Sequence, residues 1–280
     1  MKIKATVLAI MMSTSLGTQA GALSLDELTS LNKNAYSNPN AVVKYKDEKK
    51  DAYLNVMREA ALELGAQHGY ASTMADIRDE LIAETHKLDK IYDFATLMKL
   101  ASTGGHELHY LPPAIQQAEE VKSNINPDTL RLSGRQYNII KKERLVTSPP
   151  DWRDYLLTNT QYEIGLPSQL FVPKTAHERA LWKNWITEGW NAGVMQADRV
   201  MTRKIRKLGA EFAGMYRYIR LMGQGKVKAT MVVKTYNDVV GGGDSMAEQE
   251  TIYRIAAPAQ LNPNHGQWKA RVVDNRETLR

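Results

Sequence analysis

The chain has 280 residues, of which 43% are hydrophobic and 24% charged, enough to bury a sizeable core and ordinary for a folded protein. Its formal net charge is +6, about +4 without Lys2 and Lys4; this suits an acidic partner or an anionic membrane surface and requires neither. The absence of cysteine excludes disulfides, thiol catalysis, Cys-ligated metals and lipidation at a cysteine behind a leader.

Residues 1–22 have the form of an export signal. Lys2 and Lys4 precede a short apolar run, Ala5 to Met12, that cannot span a bilayer. Thr18-Gln19-Ala20 and Ala20-Gly21-Ala22 offer small residues for cleavage, so the mature chain is expected to begin at Gly21 or Leu23. No later stretch reaches the ~18 apolar residues of a membrane helix, and a periplasmic location is expected.

Residues 23–46 read as an extended N-terminal arm. Leu23, Leu25, Leu28 and Leu31 allow a turn or two of helix before the turn-rich run Asn32 to Asn40. From Asp47 to about Leu100 the apolar positions follow a helical period, including Met57, Leu64, Met74, Leu81, Leu88 and Met98. Gly65 and Gly69 predict a break there, giving a helical hairpin over 47–101. A β-containing middle follows over 111–173. Thr129 to Leu132 and Tyr137 to Val146 flank Ser133-Gly134 and predict a β-hairpin. Pro149-Pro150 lead into a short helix holding Trp152 and Tyr155.

The most regular stretch runs over 175–222. Trp182, Ile186, Gly189, Gly193, Ala197, Val200, Leu208, Phe212, Met215, Ile219 and Met222 recur mostly at steps of three and four, one face of a long helix. Thr175 and Glu178 supply a capping box, Gly223 and Gly225 a stop, and Gly209 the place for a bend if there are two helices. Gly189 and Gly193, one turn apart on the apolar face, cost helix propensity; this predicts close approach of another backbone or a Trp ring. The opposite face carries Arg199, Arg203, Arg206, Lys207 and Arg217. Over 227–257 the β-branched run Val227 to Val240, the turn Gly241 to Asp244 and the run Thr251 to Ala256 predict a C-terminal hairpin. Residues 258–280 read as a flexible polar tail. The expectation is one α+β domain over 47–257, mostly α-helical, with long packed helices and small antiparallel β-hairpins.

The residues offer little chemistry. His106-Glu107-Leu108-His109 has its histidines three apart, where a His-Glu-x-x-His zinc site needs them four apart on a helix. Gly241-Gly242-Gly243-Asp244-Ser245 has no following Gly-Lys-Ser/Thr and reads as a turn. No Gly-x-Ser-x-Gly elbow occurs, and the carboxylate pairs sit in solvated contexts. No catalytic residue, cofactor, metal or small-molecule substrate is expected. The basic side of the long helix could meet phosphates, but no nucleic-acid module accompanies it; a solvated face or a docking surface for an acidic protein is the better reading. Trp152, Trp182, Trp185 and Trp190 are first of all core candidates. Together with Arg153, Gly189 and Gly193 they are also the candidate interface residues, since Trp and Arg are favoured anchors.

Several separated motifs resemble one family. Thr147-Ser148-Pro149-Pro150-Asp151-Trp152-Arg153-Asp154-Tyr155-Leu156 is similar to a Thr-x-Pro-Pro-x-Trp-Arg-Asp-Tyr-Leu segment of the DotC family. Gly189-Trp190, Gly193 and Gln196-Ala197 resemble its Gly-Trp-x-x-Gly-x-x-Gln-Ala helix, and Phe212, Gly214, Met215 and Tyr218 continue it. Leu62, Leu64-Gly65-Ala66-Gln67, then Leu88, Ile91-Tyr92 and Phe94, then Leu111-Pro112-Pro113, fall upstream in the matching order. The similarity spans roughly residues 36–222. It implies a non-enzymatic structural component, DotC- or TraI-like, of the outer-membrane core complex of a type IVB secretion or conjugation system. It further implies a periplasmic, outer-membrane-associated location and DotD-like and DotH-like partners. Family members are typically lipoproteins. This chain lacks the cysteine, so association with the outer membrane would run through partners. The alternatives carried beside this reading are a periplasmic cell-wall-acting enzyme and a DNA-contacting channel component.

Overall fold

The computed structural model describes residues 22–31, 47–102, 109–157, 172–242 and 244–269. The export signal up to Gly21, the arm over 32–46, His106 and Glu107, most of the loop before Pro173 and the tail from Ala270 lie outside the described residues. Among the described residues, fifteen segments are elements of an α+β fold. The helices are α1 (Leu25–Ser30), α2 (Asp47–Ala83), α3 (Thr85–Ile91), α4 (Phe94–Ala101), α5 (Trp152–Leu156) and α6 (Ala176–Gly223). The strands are β1 (Tyr110–Leu111), β2 (Ala114–Asn126), β3 (Thr129–Lys141), β4 (Arg144–Leu145), β5 (Val227–Lys228), β6 (Met231–Gly242), β7 (Ser245–Ala257) and β8 (Gln260–Leu261), with a 3-10 turn over His265–Gln267. The strands form four antiparallel pairs: β1 with β4, β2 with β3, β5 with β8, and β6 with β7.

The chain divides into two compact units, one from Met1–Glu80 with Thr160–Val200 and one from Leu81–Asn159 with Met201–Arg280. In the first, the N-terminal part of α6 lies against α2 and α1. Leu28, Met57, Ala61, Leu64, Trp182 and Ile186 form its core, with Trp185 and Trp190 packed at its edge. Ser24 caps α1 through a capping box with Glu27. In the second, Ala101, Tyr110, Ile115, Tyr218, Leu221, Val227 and Ala259 form a core cluster. Phe212 meets Tyr92 and Phe94 edge-on, at centroid distances of 5.3 and 5.1 Å.

The long helix is one continuous helix of 48 residues that runs through Gly209. Its start has the expected box: Glu178 N donates to Thr175 Oγ1 at 3.2 Å, and Thr175 N donates to Glu178 Oε2 at 3.1 Å. Two expectations are corrected. Gly65 and Gly69 do not break the helix; α2 runs through both to Ala83, because both glycines receive the backbone of α6. The middle hairpin does not turn at Ser133-Gly134. Its turn lies between Asn126 and Thr129, Ser133 pairs with Val121 in mid-strand, and the partner strand is the polar run from Ala114 to Asn126. The C-terminal hairpin falls where expected but is longer, with β7 beginning at Ser245. Residues 258–269, read as tail, hold β8 and the 3-10 turn, and Trp268 Nε1 donates to the Asn262 carbonyl at 2.9 Å.

Candidate interaction surfaces

The seven candidate interface residues fall into two separate groups. In the first unit, Gly189 and Gly193 of α6 are buried against α2. A Cβ on Gly189 would meet the Leu62 carbonyl and lie 2.9 Å from Leu62 Cα; one on Gly193 would meet the Ala66 carbonyl and lie 2.7 Å from Tyr70 N. The approach is reciprocal. A Cβ on Gly65 would sit 2.9 Å from Trp190 N, and one on Gly69 would sit 2.5 Å from the Trp190 carbonyl. Four glycines, two per helix, thus let two backbones touch where any side chain would hold them apart. The predicted close approach at Gly189 and Gly193 is present, and it lies within this chain. Trp182 is 0% exposed and its Nε1 donates to the Leu28 carbonyl at 3.1 Å, tying α1 to α6. Trp185 and Trp190 are half-buried beside it.

In the second unit, Asp151 caps α5. Trp152 is 1% exposed, and its Nε1 donates to Asp89 Oδ1 at 2.7 Å. Arg153 donates to the same oxygen at 2.9 Å, and its guanidinium lies 4.3 Å from the centre of the Trp152 ring. These bonds, Arg153's first, hold the Asp89 carboxyl below its ordinary range. Sequence reasoning missed Asp89, which lies 63 residues away and has no local signal. Trp152 and Trp182 therefore act as packing residues of their own units, with their indole N–H groups satisfied inside the chain.

Two buried polar groupings brace the second unit. Glu211 accepts from Lys141 Nζ at 2.6 Å and from Tyr155 Oη at 2.7 Å. Burial pushes its carboxyl up, but these two partners outweigh burial and leave it below the ordinary value. Tyr110 Oη donates to Thr230 Oγ1 at 2.7 Å and lies 3.3 Å from Tyr218 Oη; burial pushes the Tyr110 hydroxyl strongly up. A hollow of about 260 Å³ is lined by Tyr137, Leu221, Lys226, Leu261, Asn262, Pro263 and Trp268, with Lys226 5.0 Å over the Trp268 ring. Its lining pairs no acid with a base. His109, the described member of the His-Glu-Leu-His run, sits 3.3 Å from the Val146 carbonyl and against the Tyr253 ring. No group of three or more metal-ligating side chains occurs among the described residues, and no described helix is long and apolar enough to cross a membrane.

Two long ribbons, β2 with β3 and β6 with β7, carry exposed apolar side chains. Each is two strands of 12 or 13 residues, far longer than the β1–β4 and β5–β8 pairs. Leu130 and Leu132 are exposed on the first, and Tyr236, Val239 and Met246 on the second. A bare two-stranded ribbon is marginal in water and leaves both outer edges unpaired, so such surfaces commonly serve association.

A family model described as "Type IV secretory system, conjugal DNA-protein transfer" matches residues 52–270. No curated protein matches the chain. The match begins within α2 and ends just past Trp268, and so takes in most of both packed units.

Proposed function

The chain belongs to the type IV secretory system family of conjugal DNA–protein transfer, and on that premise we propose that it is a non-enzymatic structural component of the outer-membrane core complex of a type IVB system. In this reading it is DotC-like, exported, and held at the outer membrane by DotD-like and DotH-like partners whose assembly it supports. The observation that carries the proposal is the family match across residues 52–270. The geometry supports a scaffold over an enzyme in two ways. The conspicuous Trp, Arg and Gly residues are spent on packing, and the prominent open surfaces are ribbons suited to protein contact.

The test is a pull-down from cell envelopes with the protein as bait. Recovery of DotD-like and DotH-like proteins supports the reading. A folded bait that returns neither, or that fractionates with the cytoplasm, sinks it.

A further inference from the structure

The second unit carries two surfaces of opposite charge. One is the outer part of the β6–β7 ribbon. Residues 235–253 hold Asp238, Asp244, Glu248 and Glu250 and no lysine or arginine. Directly opposed residues of an antiparallel pair share a face. The pairs Asn237–Glu250, Val239–Glu248 and Gly241–Met246 therefore place two carboxylates beside two apolar side chains. Val239 is 61% and Met246 66% exposed. Glu250 is steadied by Asn237 Nδ2, which donates to it at 3.0 Å.

The other is the outer side of α6. Arg203, Arg206 and Lys207 are exposed and fall on one arc of the helix. Beside that arc lies a strip of Ile205, Gly209 and Tyr216, with Ile205 45% and Tyr216 60% exposed. Nothing within 4 Å would meet a Cβ on Gly209, so the strip is open. Among the described residues no carboxylate forms an ion pair with Arg203 or Arg206, and none of the four ribbon carboxylates has a cationic partner. The dimensions also agree. On β6 the outer part of the ribbon, Thr235 to Gly242, spans about 24 Å at ~3.4 Å per residue, and Arg203 to Tyr216 spans about 20 Å at ~1.5 Å per residue.

We infer that the occupant of each surface is the other surface on a second copy of this chain: the acidic β6–β7 ribbon of one copy docks on the cationic side of α6 of the next. Each brings charged side chains beside exposed apolar ones, so the two match in charge and in apolar character. The contact is heterologous, since two different surfaces meet. Each copy keeps one surface for a further neighbour, and the rotation between copies decides whether the series closes. The inference needs no partner protein and stands apart from the envelope location proposed above.

Sedimentation of the purified protein at low salt tests it, with circular dichroism confirming that each variant is folded. The protein should self-associate, and added salt should weaken the association. Glu248→Arg with Glu250→Arg should weaken it by at least about tenfold, and so should Arg203→Glu with Arg206→Glu, because each places like charges in contact. The chain carrying all four changes has both signs reversed and should associate again. So should an equal mixture of the two double variants. A protein that stays monomeric at low salt overturns the inference, even if its α6 side binds nucleic acid or another acidic protein. Association unaffected by either double variant overturns it too, as does a folded quadruple variant that fails to regain it.

Discussion

Glu211 is 7% exposed and keeps its charge because Lys141 and Tyr155 both hold its Oε2. Removing one side of such a pair costs more than the pair contributes, since the remaining charge is left buried. Lys141→Met is therefore expected to destabilise the protein by about 2–4 kcal/mol in denaturant unfolding. Glu211→Gln should cost less, because Lys141 is 30% exposed and can turn to water. The sign of the pH effect follows from the lowered carboxyl. Its stabilisation is present above the ordinary value of 4.5 and is lost as pH falls through the folded value. The Lys141→Met penalty should shrink accordingly toward pH 4, and a penalty independent of pH would deny the charge its part. His68 gives the second residue-scale case. It is 1% exposed, its Nδ1 accepts from Leu23 N at 2.7 Å, and its Nε2 has no partner among the described residues. Burial lowers its proton affinity below the ordinary 6.5. A proton then binds the unfolded chain first, so the first unit loses stability as pH falls below about 6.5. His68→Gln should flatten that slope between about pH 7 and 5; an unchanged slope would assign it to other groups.

At the scale of elements, the contact between α2 and α6 rests on backbone meeting backbone. Gly189→Ala and Gly193→Ala would each push a methyl into a carbonyl of α2, and overpacking of this kind costs about 1–3 kcal/mol. The purified protein should melt several degrees lower with either. Gly209→Ala is the matched control: the position is open, and alanine there should stabilise by about 0.5–1 kcal/mol. Equal effects at Gly189 and Gly209 would show that the helices are not in contact. The same elements show what was legible in the sequence. α6 could be read because eleven apolar or small positions keep helical steps between Thr175 and Gly223, and because Gly189 and Gly193 are costly in a helix unless something presses on them. β6 could be read from its β-branched run. β2 could not, because Gln116, Gln117, Glu119, Lys122, Ser123 and Asn124 occupy both faces of an open ribbon, and alternation appears only where one face is buried. Ser133-Gly134 looked like the turn, but Asn126-Pro127-Asp128 had the stronger turn chemistry. Gly65 and Gly69 looked like a break because a glycine that ends a helix and one that admits a neighbouring helix are the same letter. The candidate site was legible as residue types only. That Trp152 answers to Asp89 and Trp182 to the Leu28 carbonyl depends on contacts 63 and 154 residues apart along the chain.

At the scale of the whole molecule, the scaffold reading and an enzyme reading diverge at one motif. His106, Glu107 and His109 are the nearest approach to a catalytic or metal-binding group in the sequence. On a helix a spacing of three sets the second side chain about 60° to one side of the first, where a spacing of four sets it about 40° to the other, and a single His-His pair with one carboxylate fills at most three positions around a metal. His109 already has a structural occupation, against the Val146 carbonyl and the Tyr253 ring. Replacing all three by alanine should therefore cost some packing at His109 and nothing in chemistry. In cells, the triple variant should accumulate to near the parental level and support conjugal transfer at near the parental frequency. The comparison is informative only with abundance measured alongside, since loss of the His109 contact could lower the amount of folded protein and depress transfer indirectly. Transfer that collapses while folded protein remains abundant would mean that this run does work on a substrate or a metal, and the scaffold reading would have to give way to an enzyme.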